Sequence, residues 1–365
     1  MRSGVGAAFV VVVLAGCTSA APRPPAPEFS TQPLRARAAH TATLLADGRV
    51  LLAGGCANDG CGTADAAPHT EIYLPGHGFA AGPAMRHPRD AHTATTLADG
   101  RVLFVGGFTG EGRPPLAEAE IFDPRTVEFG PGGSLGTGRG GHVAARLPDG
   151  RVLVAGGWVG LRAYTASVEI FDPATGAFTA GPAMPGPRLG AAAVALPDGR
   201  VLVTGGEEAP QRGLATALVY LPGTGRWQPV GPMGTPRYKH ALAMLPDGRV
   251  MVTGGTTDDT RLLASTEVFD PATNRFTPGP AMGAERYKCA GAAVATRAGL
   301  LVACGDQVES YDGRSARFRP VPGTRQVWRS FPTATALPDG SVLVVGGYDR
   351  QIRTHRDAAV VRPVG

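Results

Sequence analysis

The chain has 365 residues, of which 53 are glycine, 33 are proline and two are lysine, and its formal net charge is +5. The glycines and prolines have no three-residue period, which excludes a collagen-like fibre and favours short strands joined by many turns. No block of basic residues is present, so the sequence lacks the charge pattern of a nucleic-acid-binding protein. We therefore expect an all-β fold and no nucleic-acid partner.

The N-terminus has the pattern of an export signal. A short basic start precedes an apolar run, residues 5–16, that is too short to span a bilayer. The run leads into Leu-Ala-Gly-Cys, ending at Cys17, which resembles the lipobox of bacterial lipoproteins. The resemblance implies that residues 1–16 are a signal peptide and that Cys17 carries a lipid anchor. The alternative is ordinary cleavage nearby, which would release a soluble protein.

The segment after the lipobox is rich in alanine and proline. This composition, at residues 17–28, is typical of a stiff, unpacked spacer, and we interpret it as a lipidated tether. We expect residues 29–365 to form one folded domain at the cell envelope, facing the periplasm or the cell surface. The membrane would be contacted through the lipid on Cys17. An exported domain also reaches an oxidising compartment, in which disulfides persist.

From residue 29 onward the sequence repeats itself with a period near 50. The string Leu-x-Asp-Gly-Arg-Val-Leu-x-x-Gly-Gly recurs six times with minor variation, and a degenerate seventh copy spans residues 296–305. Asp-Gly between apolar runs predicts a β-hairpin with a type I′ turn, and the paired glycines indicate a close approach of two backbones. The six aspartates are Asp47, Asp99, Asp149, Asp198, Asp247 and Asp339.

Two spaced aromatic positions follow in each of the first six repeats. Turn sequences such as Pro-Ala-Thr-Gly lie between them and predict a second hairpin. Each repeat is therefore expected to form a four-stranded antiparallel sheet. One such sheet cannot bury both of its faces, whereas radial packing of seven sheets can. The aromatic pairs are Tyr73/Phe79, Phe122/Phe129, Phe171/Phe178, Tyr220/Trp227, Phe269/Phe276 and Tyr311/Phe318.

The glycine pair, the two spaced aromatics and an Arg-x-x-His opening together resemble the Kelch repeat. The resemblance covers about residues 29–365 and implies a seven-bladed Kelch-type β-propeller with four-stranded antiparallel blades. The last repeat lacks a final aromatic strand, while residues 29–34 lie one period before the segment that contains Phe79. We therefore expect the N-terminal strand to complete the last blade, which would close two open sheet edges.

An arginine opens every repeat, and five repeats carry a glutamate on the third strand. We expect Arg–Glu pairs within or between blades, with arginine bound to backbone carbonyls where the glutamate is missing. A ring of anion-binding arginines is the alternative. Three residues after the arginine, four repeats have a histidine, which we expect to be structural; a metal site is the alternative. The arginines are Arg37, Arg89, Arg139, Arg188, Arg237, Arg286 and Arg329, and the histidines are His40, His92, His142 and His240.

The four cysteines other than Cys17 form two local pairs. Cys56 and Cys61 flank a short loop, and Cys289 and Cys304 fall opposite each other across the hairpin of the sixth repeat. We predict the bridges Cys56–Cys61 and Cys289–Cys304. The alternative, a metal site, has little support because the pairs are far apart in sequence and neither has CxxC spacing. We expect no metal and no other cofactor.

The variable loops suggest where a ligand would bind. In a four-stranded blade, the loop that enters strand one and the loop that joins strands two and three share a face, here called the loop face. Loops on a rigid scaffold commonly carry binding sites, and tyrosine, tryptophan and arginine are typical of binding hot spots. The predicted binding residues on this face are Arg237, Tyr238, Lys239, Arg286, Tyr287, Lys288, Trp328 and Arg329. Simple duplication between sister repeats is the alternative origin of the two Arg-Tyr-Lys strings.

Two functions remain open from the sequence. The first is a monomeric, non-catalytic envelope module that binds an acidic peptide segment or a negatively charged glycan. The second is a carbohydrate-active enzyme of epimerase or hydrolase type with a dispersed site. Galactose-oxidase-like enzymes are related Kelch propellers, but their Tyr-His copper-site dipeptide is absent here. Paired carboxylates would favour an enzyme, and the loop-face candidates are Glu207, Glu208, Asp258 and Asp259.

Overall fold

The computed structural model describes residues 1, 29–57, 66–160 and 163–364. All regular structure in these ranges is β-strand, and none of it forms a helix long and apolar enough to cross a membrane. The predicted signal peptide, the lipidation site Cys17 and the tether lie outside the described residues.

Apart from one small hairpin, the described strands form seven antiparallel sheets, each built from consecutive segments of the chain, which are the blades. Blade one contains β1 (Thr41–Leu44), β2 (Val50–Ala53), β3 (Thr70–Leu74) and β4 (Gly78–Ala81). Blade two contains β5 (Thr93–Thr96), β6 (Val102–Val105), β7 (Glu118–Asp123) and β8 (Glu128–Ser134). Blade three contains β9 (Val143–Arg146), β10 (Val152–Ala155), β11 (Val168–Asp172) and β12 (Ala177–Gly181).

Blade four contains β13 (Ala192–Ala195), β14 (Val201–Thr204), β17 (Ala217–Leu221) and β18 (Arg226–Val230), with a small hairpin, β15 (Glu207–Ala209) and β16 (Arg212–Gly213), in its loop. Blade five contains β19 (Ala241–Met244), β20 (Val250–Thr253), β21 (Thr266–Asp270) and β22 (Arg275–Pro278). Blade six contains β23 (Ala293–Thr296), β24 (Gly299–Val302), β25 (Gly305–Asp312) and β26 (Arg317–Arg329). Blade seven contains β27 (Thr333–Ala336), β28 (Val342–Val345) and β29 (Ala358–Val361).

The blades close into a ring. The first strand of each blade contacts the first strands of its two neighbours, and β27 of blade seven contacts β1 of blade one. The second strands are buried along their whole length, which explains their uninterrupted apolar sequences. The six predicted aromatic pairs stack with ring centroids 4.8–5.3 Å apart. The predicted seven-bladed β-propeller is confirmed.

The Asp-Gly hairpins differ from the predicted type I′ turn. In the first hairpin only Gly48 has a positive φ, of 85°, and Asp47 does not. The Gly48 N–H donates to the Leu45 carbonyl at 3.0 Å, and the Leu45 N–H donates to the Arg49 carbonyl at 2.8 Å. The loop therefore has three residues and ends in a left-handed glycine, which is another common hairpin connection. The type I′ prediction was wrong because it assigned a left-handed conformation to the aspartate.

The N-terminal segment reaches the edge of the last blade through a side chain. The Gln32 amide donates to the Ala358 carbonyl at 3.3 Å and accepts the Ala358 N–H at 2.8 Å. Ser30, by contrast, forms an isolated antiparallel bridge with Phe79 of blade one. The expected fourth strand of blade seven is therefore not formed in the described residues, where that blade has three strands. The segment lies between the two blades, and the Gln32 side chain replaces part of the expected ladder.

The same segment is also bound to the first blade. The backbone N–H groups of Leu34 and Arg35 donate to the Glu71 carboxylate at 2.6 and 3.2 Å. In blade two, Glu120 receives two N–H groups in the same way from the linker that leaves blade one. The N-terminal segment therefore occupies the place of an interblade linker at the point where the ring closes.

Candidate functional site

The opening arginines hold blades together. Arg89 lies 2.7 Å from the Glu120 carboxylate and also donates to the carbonyls of Gly106 and Glu118 at 2.7 and 3.1 Å. Glu120 in turn accepts backbone N–H groups from the preceding linker, so each such pair joins two blades. The predicted structural pairing is confirmed for Arg37–Glu71, Arg89–Glu120, Arg139–Glu169, Arg237–Glu267 and Arg286–Glu309.

In the other two blades, different groups bind the opening arginine. Leu218 replaces the glutamate in blade four, and Arg188 donates there to the Gly205 and Thr216 carbonyls and to the Thr216 hydroxyl. In blade seven, Arg329 pairs with Asp357 at 2.5 Å. The seven arginines are at most 5 % exposed, which argues against an anion-binding ring. Of the predicted binding residues, Arg237, Arg286 and Arg329 therefore lie inside the blades and not on the loop face.

The four opening histidines also join neighbouring blades. Each Nε2 lies 2.7–3.0 Å from a threonine hydroxyl of the preceding blade. Burial lowers the pKa of His142 and His240 to about 3, so both rings are neutral near pH 7. The histidines thus make local contacts instead of converging on one point. In the part of the chain that the structure describes, no three His, Cys, Asp or Glu side chains are grouped to hold a metal.

One residue from each blade contributes to a hydrogen-bonded ring on the loop face, here called the collar. Each collar residue lies two positions after an opening arginine and has a left-handed φ of 46–63°. Backbone N–H···O hydrogen bonds of 2.8–3.4 Å link neighbouring blades around the ring, and in blade six Cys289 provides the N–H group. The collar consists of Ala39, Ala91, Gly141, Gly190, Lys239, Lys288 and Phe331.

The side chains of the collar differ in size from one side of the ring to the other. Four consecutive blades contribute only alanine or glycine, whereas blades five, six and seven contribute Lys239, Lys288 and Phe331. The opening segments are bridged to the residues that follow the glycine pairs, as in Tyr238–Thr256 and Ser330–Tyr348. The predicted common face for openings and variable loops is therefore confirmed. Among the seven collar residues, the large polar and aromatic side chains all lie in blades five to seven.

The first lysine of the collar, Lys239, forms an ion pair with a neighbouring carboxylate. Lys239 Nζ lies 2.9 Å from Asp259 Oδ1 and 3.2 Å from the Tyr287 hydroxyl. The Tyr287 hydroxyl donates to the same Asp259 carboxylate. Lys239 also lies 5.0 Å from the ring centroid of Tyr238, whose side chain is fully buried. Tyr238, a predicted binding residue, is therefore buried and not exposed on the loop face, whereas Asp259 holds Lys239 and Tyr287 together.

The second lysine lies in an aromatic cage. Lys288 Nζ donates to the Tyr348 hydroxyl at 2.5 Å. It lies 5.0, 5.2 and 5.8 Å from the ring centroids of Tyr287, Tyr348 and Phe331. The described side chains include no carboxylate within salt-bridge distance of it. Burial, followed by the charge of Lys239, lowers the pKa of Lys288 to about 8.

Lys288 borders an open pocket of about 450 Å³ on the loop face. Tyr287, Trp328, Tyr348 and Arg350 also line this pocket. The Arg350 guanidinium stacks over the Trp328 ring at 4.6 Å, which fixes a second cation at the pocket wall. The structure thus brings together three predicted residues, Tyr287, Lys288 and Trp328.

The sequence interpretation missed Asp259 as a partner of Lys239 and missed Tyr348 and Arg350 entirely. Tyr348 directly follows the last glycine pair, a position that is bridged to the opening segment in six blades. That position was therefore the signal available in the sequence. Arg350 follows two residues later in the same variable loop, and nothing in its local sequence indicates that it stacks on Trp328.

The loop-face carboxylates proposed for an enzyme are each held by local contacts. Glu207 is 4 % exposed and accepts the Gln211 N–H at 2.5 Å. Glu208 pairs with Arg212 at 3.0 Å, and Asp258 accepts N–H groups within its own loop. Asp259 is bound to Lys239, as described above. These contacts account for all four carboxylates without a substrate.

One predicted disulfide is present in the described residues. Cys289 and Cys304 are bonded across the hairpin of blade six, with Cα atoms 5.5 Å apart, which confirms the prediction. Cys56 is disulfide-bonded as well, and its predicted partner Cys61 lies outside the described residues. The Cys289 bond lies directly beside Lys288, so it also stiffens the collar at the candidate site.

Comparison with known proteins agrees with this architecture. The Kelch motif matches residues 139–185 and 237–283, which are blades three and five. The chain is a seven-bladed β-propeller that carries Kelch motifs. This Kelch propeller is similar to a solved structure titled "Structure of YjhT", with a TM-score of 0.57 and 13 % identity over 91 % of this chain and 96 % of that one. At this identity the similarity shows the fold alone. No curated protein matches the sequence.

Proposed function

We propose that this Kelch propeller is a lipid-anchored binding module of the cell envelope. Its loop face would recognise an acidic peptide segment or a negatively charged glycan on an envelope partner. Kelch propellers suit such a role because a rigid ring presents loops of variable length on one face. The lipid on Cys17 would hold the propeller at the membrane, and residues 17–28 would separate the two.

The observation that carries the proposal is the difference between the two collar lysines. Lys239 already has a carboxylate partner, Asp259, whereas Lys288 is surrounded by aromatic rings and a hydroxyl. A ligand carboxylate, sulfate or phosphate would supply the counter-charge that Lys288 lacks. A charge-assisted hydrogen bond of this kind is stronger than a neutral one, particularly in a partly desolvated pocket.

The aromatic walls explain how the ligand would be held beside that contact. Trp328 contributes a partly exposed ring to the pocket lining, Tyr348 is 6 % exposed beside Lys288, and Arg350 adds a positive charge at the rim. Such side chains bury a large area at little cost in conformational entropy. A segment that combines a negative group with an apolar or ring-shaped face would therefore fit the pocket best.

Arrays of acidic and neutral peptides and of anionic and neutral glycans would test the proposal. We expect the lipid-free mature protein to bind anionic members, and Trp328→Ala to lose them. A matched control is Arg101→Ala, which removes an exposed Asp99 ion pair at the opposite end of the blades. Equal binding of neutral and anionic probes, or equal loss in both variants, would contradict the proposed site.

The anchor requires a separate test. In cells, we expect the wild-type protein in the membrane fraction and a Cys17→Ser variant in the soluble fraction. Mass spectrometry of the mature N-terminal peptide should show an acylated Cys17. A wild-type protein that is soluble and carries no acyl group would contradict the proposed anchor.

A further inference from the structure

We propose that Lys288 is a nucleophilic amine that forms an imine with a small aldehyde or ketone entering the loop-face pocket. The proposed function concerns recognition of a charged partner, whereas this inference concerns a covalent bond at one atom. The two share the pocket, but imine formation does not require the envelope partner.

The base of the Lys288 side chain is rigidly held. Its backbone lies in the left-handed region with φ 55°, and its carbonyl accepts the Phe331 N–H at 2.8 Å. The next residue, Cys289, is bonded to Cys304 and donates its N–H to the Lys239 carbonyl at 3.2 Å. The side chain therefore extends from a fixed point on the collar to the wall of the pocket.

The Lys288 amine lies in a largely aromatic environment. Three aromatic rings surround Nζ, and its closest polar partner is the neutral Tyr348 hydroxyl. Burial and the nearby Lys239 ammonium disfavour the charged form of the lysine, and they outweigh the attraction of the ring faces for a cation. An amine that is partly desolvated and lacks a carboxylate is the usual arrangement of a nucleophilic lysine.

Charged groups on the neighbouring elements shift the pKa of Lys288 in both directions. From blade five, the Lys239 ammonium lowers the pKa of Lys288 and the Asp259 carboxylate raises it. Glu285, Asp349 and Arg350 line the same pocket, and Asp349 is bound to an arginine in its own loop. With a pKa of about 8, roughly a quarter of Lys288 is neutral at pH 7.5, compared with about one part in a thousand for a lysine at its usual pKa.

The chemistry balances without a cofactor. The neutral amine adds to the carbonyl carbon, and an N–C bond forms as the carbonyl π bond breaks. The two protons of the amine leave with the carbonyl oxygen as water, and an N=C bond remains. Tyr348, which already lies at hydrogen-bond distance from Nζ, can pass a proton to the departing oxygen. Burial raises the pKa of Tyr348, so its hydroxyl keeps the proton that this step uses.

The chain supplies its own matched control because it contains two lysines, both in Arg-Tyr-Lys strings. The mature protein would be incubated with glyceraldehyde and cyanoborohydride at pH 7.5, so that each imine is reduced to a stable secondary amine. Peptide mass mapping would then give the rate at Lys288 and at Lys239. We expect Lys288 to react at least tenfold faster, because Asp259 and Tyr287 already hold Lys239 Nζ.

Unfolding separates the effect of the pocket from that of local sequence. In 8 M urea we expect the two lysines to react at similar rates, and in the folded protein we expect the Lys288 rate to rise with an apparent pKa near 8. Equal rates in the folded protein, or a preference that persists in urea, would overturn the inference. Ligand binding without preferential labelling would refute only the imine, and preferential labelling without ligand binding would refute only the proposed function.

Discussion

Removal of one buried glutamate provides a direct test of the ring's internal construction. Glu120 is 1 % exposed, and its carboxylate pairs at 2.7 Å with Arg89, which is fully buried. The same carboxylate accepts N–H groups from Arg86 and His87 at 2.7 and 3.0 Å. The substitution Glu120→Ala would leave a buried guanidinium and two linker N–H groups without this partner.

The expected loss of stability follows from the burial of the pair. Truncating one partner of a buried ion pair typically costs about 3–5 kcal/mol, because the other charge remains desolvated and uncompensated. The free energy of unfolding of Glu120→Ala should therefore fall by about 3 kcal/mol or more. The control Glu128→Ala, at an exposed position of β8 in the same blade, should change it by less than about 0.5 kcal/mol.

Urea unfolding followed by far-ultraviolet circular dichroism would measure both variants. A loss for Glu120→Ala of less than about 1 kcal/mol, or equal losses in the two variants, would refute the reasoning. In that case the Arg–Glu pairs could not be the clamps that join neighbouring blades.

Three further predictions concern stability. His240 has a pKa of about 3 in the folded protein, so between pH 6.5 and 3 it is protonated only in the unfolded chain, and the free energy of unfolding falls as the pH falls. In urea titrations at pH 6 to 4, His240→Gln should reduce the pH dependence of that free energy by about 1.4 kcal/mol per pH unit. Replacing both Cys289 and Cys304 by alanine should cost about 3 kcal/mol for a sequence separation of 15, and an unchanged urea midpoint would contradict this. Deleting residues 29–34 removes a hydrogen bond to the buried Glu71 carboxylate and should cost about 2 kcal/mol; a monomer with unchanged melting would contradict the proposed closure.

The blade architecture was predictable because it depends on sequence patterns within each repeat. Hairpin glycines, the apolar second strands and the spaced aromatics recur in nearly every repeat, and each is satisfied within one blade or between neighbours. The Cys289–Cys304 bridge was predictable for the same reason, since both residues lie on one hairpin. The ladder at the last blade was less predictable, because a glutamine side chain can replace backbone hydrogen bonds.

The candidate site was only partly predictable because it depends on ring geometry. Tyr348 reaches Lys288 across a sequence separation of 60 residues, and Asp259 reaches Tyr287 across 28. Arg237 and Arg286 were predicted both to pair with a glutamate and to bind a ligand, and their burial against the glutamate leaves only the first role. Sequence proximity thus indicated the region correctly, while the individual contacts followed from the closure of the propeller.

The central claim is that Lys288 supplies the charge that binds the ligand. It is tested most directly by calorimetric titration of the best anionic array ligand into wild-type protein and into Lys288→Met. The account predicts that affinity falls at least tenfold in the variant, equivalent to about 1.4 kcal/mol, while the unfolding midpoint changes little. Unchanged affinity in a folded Lys288→Met protein would contradict it.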